Sequence, residues 1–132
     1  MIDQATTRVV LIEQSDDHAV FAIPGTNYRL HLTTPKPLDD CPGDRVHGAI
    51  RCNVWKVDTV SPGGAYIEPV YGRPRRVQGR VVANDPSANT IVVEVCRCPI
   101  LAVLPDRWRA ADIPTGARVG LDIHEGAAFT PA

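Results

Sequence analysis

Four cysteines and four histidines are the side chains of this 132-residue chain that could bind a metal ion. Cys96 and Cys98 share one face of a predicted strand, whereas Cys41 and Cys52 lie far from them in sequence. Zinc sites usually take their ligands from close pairs such as C-x₂-C, each on a turn. The histidines, at positions 18, 31, 47 and 124, show no paired spacing either. The pattern favours small buried cysteines over ligands, and we expect no metal and no cofactor.

Nucleophilic and acid–base chemistry has equally little support in the sequence. The three serines lie in polar or Gly/Pro turns, outside any G-x-S-x-G elbow, at positions 15, 61 and 87. The PGG run at 62–64 lacks the lysine and helix of a phosphate loop. The clustered aspartates at 16–17 and 39–40 fit ordinary turn chemistry. We therefore expect a protein that is not an enzyme.

The stretch YGRPRRVQGR at residues 71–80 carries four arginines in ten positions. One interpretation is a linker, because Gly72 and Pro74 suit a connection between two units. The other is a grip on phosphate groups, with an aromatic side chain as a stacking surface. The residues of this second interpretation are Arg73, Arg75, Arg76, Arg80, Tyr71, Trp55 and Tyr66. Both interpretations stay open at this point.

Composition and charge define the broad class. The formal net charge is −1, which argues against a nucleic-acid binder that uses its whole surface. Residues 1–70 hold six Lys and Arg against nine Asp and Glu, and residues 71–132 hold eight against six, which gives −3 and +2. No apolar run approaches the ~20 residues of a membrane span, and the first residues do not resemble a signal peptide. With four cysteines and no secretory signal, we expect free thiols and a cytoplasmic protein.

Short segments recur in the same order in the two halves of the chain, which predicts an internal duplication. The matched segments are RVV (8–10 and 80–82), AVFAI (19–23) and IVVEV (91–95), YRLHL (28–32) and ILAVL (100–104), GDRVHGAI (43–50) and GARVGLDI (116–123), and GAYIEP (64–69) and GAAFTP (126–131). We predict a first unit at 1–71, a linker at 72–76 and a second unit at 77–132.

Each half is predicted to form five strands. Alternation at Val119, Leu121 and Ile123 gives the clearest period-two signal. The fourth strand of the first half changes parity near residues 53–56, which indicates a bulge. A connector precedes each fourth strand, and in the second half Asp106 is placed to cap a short helix near 106–112. The fold class is therefore mostly β.

Five strands with a helical connector between the third and the fourth is the order of an OB-fold. With its RVV first strand and the GDRVHGAI and GARVGLDI segments, the chain resembles two fused OB-like barrels, most nearly the tandem TOBE and molbindin domains. The resemblance implies two small barrels and, in that family, binding of a small oxyanion. The Lys-Ala-Ser-type ligand signature of molbindins has no counterpart here, because Arg51-Cys52-Asn53 and His124-Glu125-Gly126 stand at those positions.

The predicted third strands suggest where a partner binds. Arg29 and His31 point outward on the face that an OB-fold uses for ligands. Leu101 and Val103 make the matching strand of the second half apolar on both faces, and such a strand is usually covered. The cover is the other half, a second copy of the chain or a protein partner. We expect a non-catalytic binding or assembly module that engages a protein or itself, with single-stranded nucleic acid and small-oxyanion binding as the alternatives and no membrane partner.

Overall fold

The computed structural model describes residues 5–59 and 64–132, and this part of the chain is mostly β, as predicted. All of its strands belong to one eleven-stranded sheet. The strands are β1 (Thr6–Gln14), β2 (His18–Ala22), β3 (Arg29–Thr33), β4 (Arg45–Thr59), β5 (Tyr66–Glu68), β6 (Tyr71–Gly72), β7 (Arg76–Asp85), β8 (Thr90–Val95), β9 (Cys98–Val103), β10 (Arg118–Ile123) and β11 (Ala128–Pro131). No helix among the described residues is long and apolar enough to cross a bilayer.

The helix predicted near 106–112 is reduced to a single 3₁₀ turn, Ala110–Asp112. The side chain of Asn89 explains why the connector is not more helical. Its amide nitrogen donates to the carbonyl oxygen of Trp108 at 3.0 Å, and its amide oxygen accepts from the backbone N–H of Ala110 at 2.8 Å. The backbone groups of a longer helix are thus already bonded to a side chain. Arg109, not Asp106, is the residue at the N-terminal boundary of the turn.

The pairing pattern contains two circuits of five strands that share β4. In the first circuit, β1, β2, β3, β11 and β4 pair in that order, and β4 pairs again with β1. In the second circuit, β7, β8, β9, β4 and β10 pair in that order, and β10 pairs again with β7. The last strand of the described chain thus belongs to the first circuit, and the C-terminal part of β4 belongs to the second.

The remaining short strands lie outside these circuits. β5 pairs with β7, and β6 pairs in parallel with β3. The sequence matched residues 64–69 with 126–131 as equivalent fifth strands, but the strands formed there pair differently: β5 pairs with β7, and β11 pairs with β3 and β4. Residues 72–76 are also packed, because Pro74 is buried and the N–H of Arg75 donates to the carbonyl of Glu68 at 2.8 Å.

The strand β4 follows the predicted alternation closely. Val46, Gly48, Ile50 and Cys52 are buried, as expected of one inner face. The register against β10 then shifts between Asp122 and Ile123, opposite residues 54–56. This is the predicted bulge, and it leaves Trp55 outward and 49% exposed. The bulge lets one strand serve both circuits, because it bends β4 where its partners change.

The main core cluster contains side chains of both circuits. Its bulkiest contact is between the rings of Phe21 and Phe129, whose centroids are 4.5 Å apart. Phe129 packs over Gly48, where a Cβ atom would collide with the Phe129 ring and with the carbonyl oxygen of Thr130. A residue without a side chain is therefore required at position 48 for β11 to pair with β4.

Candidate ligand surfaces

The arrangement around β3 brings several candidate ligand residues to one surface. Because β6 pairs in parallel with β3, Tyr71 lies beside Arg29. Arg73 follows β6, and its guanidinium contacts His18 of the neighbouring strand β2. His31 is exposed further along β3. We call the surface formed by Arg29, His31, Tyr71 and Arg73 the β3 face. It joins two sequence regions, 29–31 and 71–73, that both supplied ligand candidates.

The side chains of the β3 face differ in their contacts. Tyr71 is 64% exposed, and Arg29 is half-buried, with its backbone N–H bonded to the carbonyl of Val70 at 2.8 Å. Arg73 reaches towards β2, where its Nη2 lies 3.5 Å from Nε2 of His18. The Nδ1 atom of that histidine is 2.6 Å from a carboxylate oxygen of Asp17. If Nδ1 holds the proton and donates it to Asp17, Nε2 can accept from Arg73.

Acidic residues border the β3 face on one side. Asp17 precedes β2, and Glu13 is exposed on β1 opposite Val20. A shallow cavity of about 340 Å³ beside them is lined by Glu13, Ser15 and His18. The positive charge of the face is carried by Arg29 and Arg73, and Arg73 reaches toward this acidic side, where His18 separates it from Asp17. An anionic ligand would be attracted to the two arginines and repelled from Glu13 at the β1 edge.

Arg76 is held by other residues of the protein and is not available as a grip for phosphate. Its guanidinium donates to carboxylate oxygens of Asp122 at 2.9 Å and Asp58 at 3.4 Å. It also donates to the hydroxyl of Tyr66 at 3.2 Å and to the side-chain oxygen of Gln78 at 3.3 Å. The hydrogen bond to Tyr66, followed by the contact with Asp122, raises the pKa of Arg76. This residue joins β4, β5, β7 and β10.

The other candidate ligand residues lie on different surfaces. Arg75 and Trp55 line a depression together with Glu68, Asp122 and Glu125, so that the local charge is mixed. Arg80 is exposed on β7 between Glu94 of β8 and Arg118 of β10. The four arginines of residues 71–80 therefore do not form one basic patch.

The candidate interface residues Leu101 and Val103 are both half-buried. Leu101 packs against a small apolar cluster on the outer side of the second circuit, formed by Ala5, Ala83, Val92 and Val82. Ala5 belongs to the first half, so part of the cover comes from within the chain. Packing between the halves was one of the covers that the sequence allowed.

The four cysteines are free thiols, one buried and one exposed in each half. Burial raises the pKa of the Cys52 thiol to about 12. It also raises the pKa of Cys98, to about 11, against the opposing effect of a hydrogen bond with Thr7. These two thiols stay protonated at neutral pH, which makes them poor nucleophiles and poor metal ligands.

A further concave surface was not predicted from the sequence. It is a groove of about 330 Å³ between the end of β4, the connector before β10 and the first residues of β10. Trp108 and three arginines, Arg107, Arg109 and Arg118, line it. The run Arg107-Trp108-Arg109 is the sequence signal that could have marked this surface, because it places an aromatic ring between two cations.

A scan of the chain against protein-family models, and searches of curated proteins and of solved structures, found no match.

Proposed function

We propose that the protein is a non-catalytic binding module, built of two OB-like barrels that exchange their fifth strands, and that the β3 face binds single-stranded nucleic acid. The observation that carries the proposal is the pairing of β6 with β3, which sets Tyr71 beside Arg29 and leads the chain to Arg73, whose guanidinium contacts His18 on the adjacent strand β2. In OB-folds the face of the second and third strands binds oligonucleotides. In the first circuit these strands are β2 and β3.

Equivalent hydrogen bonds support the duplication. In the first half, Leu11 accepts a backbone hydrogen bond from Gly43 at 2.7 Å and donates one to Asp44 at 2.9 Å. In the second half, Val81 accepts from Gly116 at 2.7 Å and donates to Ala117 at 2.8 Å. Both glycines have a positive φ, +97° and +91°. The equivalence of Gly43 with Gly116 is the one that GDRVHGAI and GARVGLDI predict.

Near the end of the first strand of each half, one carboxamide side chain binds the connector of that half. Gln14 donates to the carbonyl oxygens of Leu38 at 3.0 Å and Asp40 at 3.3 Å. Asn84 donates to the carbonyl oxygens of Ala110 at 3.1 Å and Ile113 at 2.9 Å. The two side chains follow Leu11 and Val81 by the same three positions and hold corresponding connectors. A repeated role at a matched position is what a duplication predicts.

The chemistry of the β3 face suits a flexible polyanion. Arginine guanidinium groups donate to phosphate oxygens and release counterions. An exposed tyrosine ring can stack on an unpaired base, which every base permits because each has a π-face. With two arginines and one tyrosine, we expect weak binding without sequence preference.

A salt titration tests this proposal. If Arg29 and Arg73 each neutralise one phosphate, the affinity for a mixed-sequence oligonucleotide should fall with a log–log salt slope of about −1.4, from ~0.7 per contact. The double substitution Arg29→Ala and Arg73→Ala should remove most of the slope and weaken all sequences alike. Fluorescence anisotropy at several salt concentrations measures both effects.

The matched control is Arg75→Ala with Arg80→Ala, which removes the same charge from exposed positions outside the β3 face. It should leave the salt slope nearly unchanged. Equal loss in the two double variants would show that only the overall charge matters. Absence of binding at ~50 mM salt would contradict the proposal and favour a protein partner.

The assembly interpretation has less structural support. The packing of Leu101 against Ala5, Ala83 and Val92 accounts for part of the outer apolar surface of β9. Size-exclusion chromatography with light scattering distinguishes the two cases. A dimer that Val103→Asp dissociates without unfolding the protein would restore self-association as the function.

A further inference from the structure

The groove beside Trp108 combines an apolar surface with a cationic rim. Val57 from β4 and Ile113 from the connector pack against the main core, and both also line the groove. The guanidinium of Arg107 lies over the Trp108 ring, 5.1 Å from its centroid. The groove volume of about 330 Å³ lies at the lower end of the range for small-molecule pockets.

The described lining residues give the groove a positive balance. Arg107, Arg109 and Arg118 are set against one carboxylate, Asp112. An anion is therefore the ligand favoured by charge, and the indole ring favours an aromatic one. Neither property alone is specific, but a planar aromatic group that carries a negative charge satisfies both.

The backbone that carries Trp108 is held firmly. Asn89 donates to the carbonyl oxygens of Leu104 at 3.3 Å and Trp108 at 3.0 Å, and it accepts from the N–H of Ala110 at 2.8 Å. The N–H of Trp108 donates to the carbonyl of Pro105 at 3.0 Å. A loop fixed in this way loses little conformational freedom when a ligand binds.

The corresponding connector of the first half shows that these side chains are not needed for the architecture. Gln14 holds that connector too, yet residues 34–44 contain no aromatic residue and three aspartates, Asp39, Asp40 and Asp44. The tryptophan and its flanking arginines are therefore specific to the second half. A purely structural role in the connector would not require them.

We propose that this groove is a second binding site, one that takes an aromatic anion of the nucleoside monophosphate class. The base would lie against Trp108, and the phosphate would bind the guanidinium groups of Arg107 and Arg109. The same chemistry is offered by a free nucleotide and by the terminal nucleotide of a strand. The site is separate from the β3 face and does not depend on the function proposed there.

Tryptophan fluorescence tests the site directly. The chain has two tryptophans, so Trp55→Phe leaves Trp108 as the single reporter. In that background, adenosine monophosphate should change the emission in a saturable way, whereas adenosine or inorganic phosphate alone should bind at least ten-fold more weakly. A 5′-phosphorylated oligonucleotide that binds more tightly than the free nucleotide would identify a strand end as the ligand, and weaker binding would identify the free nucleotide.

Variants then assign the contacts. Arg107→Ala with Arg109→Ala should weaken binding of the nucleotide about ten-fold or more, because the phosphate loses its hydrogen bonds to the charged guanidinium groups. Arg75→Ala with Arg80→Ala and Arg29→Ala with Arg73→Ala should leave the affinity unchanged. Circular dichroism checks that each variant is folded. Trp108→Phe is a milder change that keeps an aromatic ring, and its binding of adenosine monophosphate is measured by calorimetry. A linear, unsaturable emission change, or equal loss in all three arginine pairs, would overturn the proposal.

Discussion

Under the proposed repeat, the two circuits fill matched core positions with side chains of different size. Phe129 is opposite Ile50 in the first circuit, and Val54 is opposite Ile123 in the second. Since Ile50 and Ile123 are matched in the proposed repeat, Phe129 corresponds to Val54. Gly48, over which Phe129 packs, corresponds in turn to Leu121. Under this match the first circuit combines a large aromatic side chain with a glycine, whereas the second combines two aliphatic side chains of intermediate size.

The outer faces of the two halves differ more than the cores. On β3, His31 is exposed, whereas Leu101, at the matching position on β9, is half-buried. This match follows the strand registers, because Leu30 is opposite Phe21 in the first half and Ile100 is opposite Val93 in the second. It lies two residues from the sequence match of YRLHL with ILAVL, which sets His31 against Val103, also half-buried. One face is therefore polar and open, and the other is apolar and partly covered by Ala5. Two circuits with the same strand order therefore present outer faces of different polarity.

The largest expected effect is a loss of stability when Phe129 of β11 is shortened. Phe129 is fully buried, so Phe129→Ala should reduce the free energy of unfolding by about 3–5 kcal/mol. Val54→Ala removes a smaller side chain at the corresponding position and should cost about 2 kcal/mol. Urea denaturation measures both, with the exposed Thr130→Ala as the control, which should change stability by less than about 0.5 kcal/mol. Equal losses at 129 and 54 would contradict the unequal packing of the two circuits.

A smaller effect separates two neighbouring arginines of residues 71–80. Arg76→Ala removes four side-chain hydrogen bonds that join β4, β5, β7 and β10. We expect a loss of about 1–2 kcal/mol, less than for a buried pair, because Arg76 and Asp122 remain partly exposed, at 21% and 24% of their side chains. Arg75→Ala should change stability by less than about 0.5 kcal/mol. Gly120→Ala should resemble Arg76→Ala, since a Cβ there would displace the guanidinium.

The sequence predicted what depends on local pattern. Alternation showed which side chains of β4 and β10 are buried, and the parity change located the bulge at Trp55. The sequence pattern could not show that β11 pairs within the first circuit, because a short apolar alternation is compatible with several neighbouring strands. Within the proposed repeat, the hydrogen bonds match Leu11 with Val81, two residues away from the RVV match of the sequence. A shift of two keeps the same face and leaves the pattern unchanged.

The candidate site was predicted only in part for a related reason. Arginines adjacent in sequence were grouped together, but the chain turns between Arg73 and Arg76, so they reach different surfaces. Conversely, the meeting of Arg29 with Tyr71 depends on the pairing of β6 with β3, which joins residues 42 positions apart. The groove at Trp108 takes its lining from β4, the connector and β10, and only the folded chain brings them together.

The smallest effect concerns the cysteines, because each half of the chain has one buried and one exposed thiol whose reactivities can be compared. Cys41 and Cys96 are exposed, while Cys52 and Cys98 are each 2% exposed. Iodoacetamide at pH 8 should therefore modify the first two rapidly and the other two only when the protein opens, as peptide mass spectrometry can show.

The raised pKa values of the two buried thiols determine the direction in which stability changes with pH. A thiol whose folded pKa lies above its ordinary value of about 9 contributes its stability fully below that value. The contribution is then lost as the pH rises toward about 11 for Cys98 and about 12 for Cys52, because the unfolded thiols ionise first. The loss should be on the order of 1 kcal/mol per pH unit and per thiol. Cys52→Ala should remove its share of the slope between pH 9 and 11. An unaltered slope in this variant would show that Cys52 ionises as freely in the folded chain as in the unfolded one.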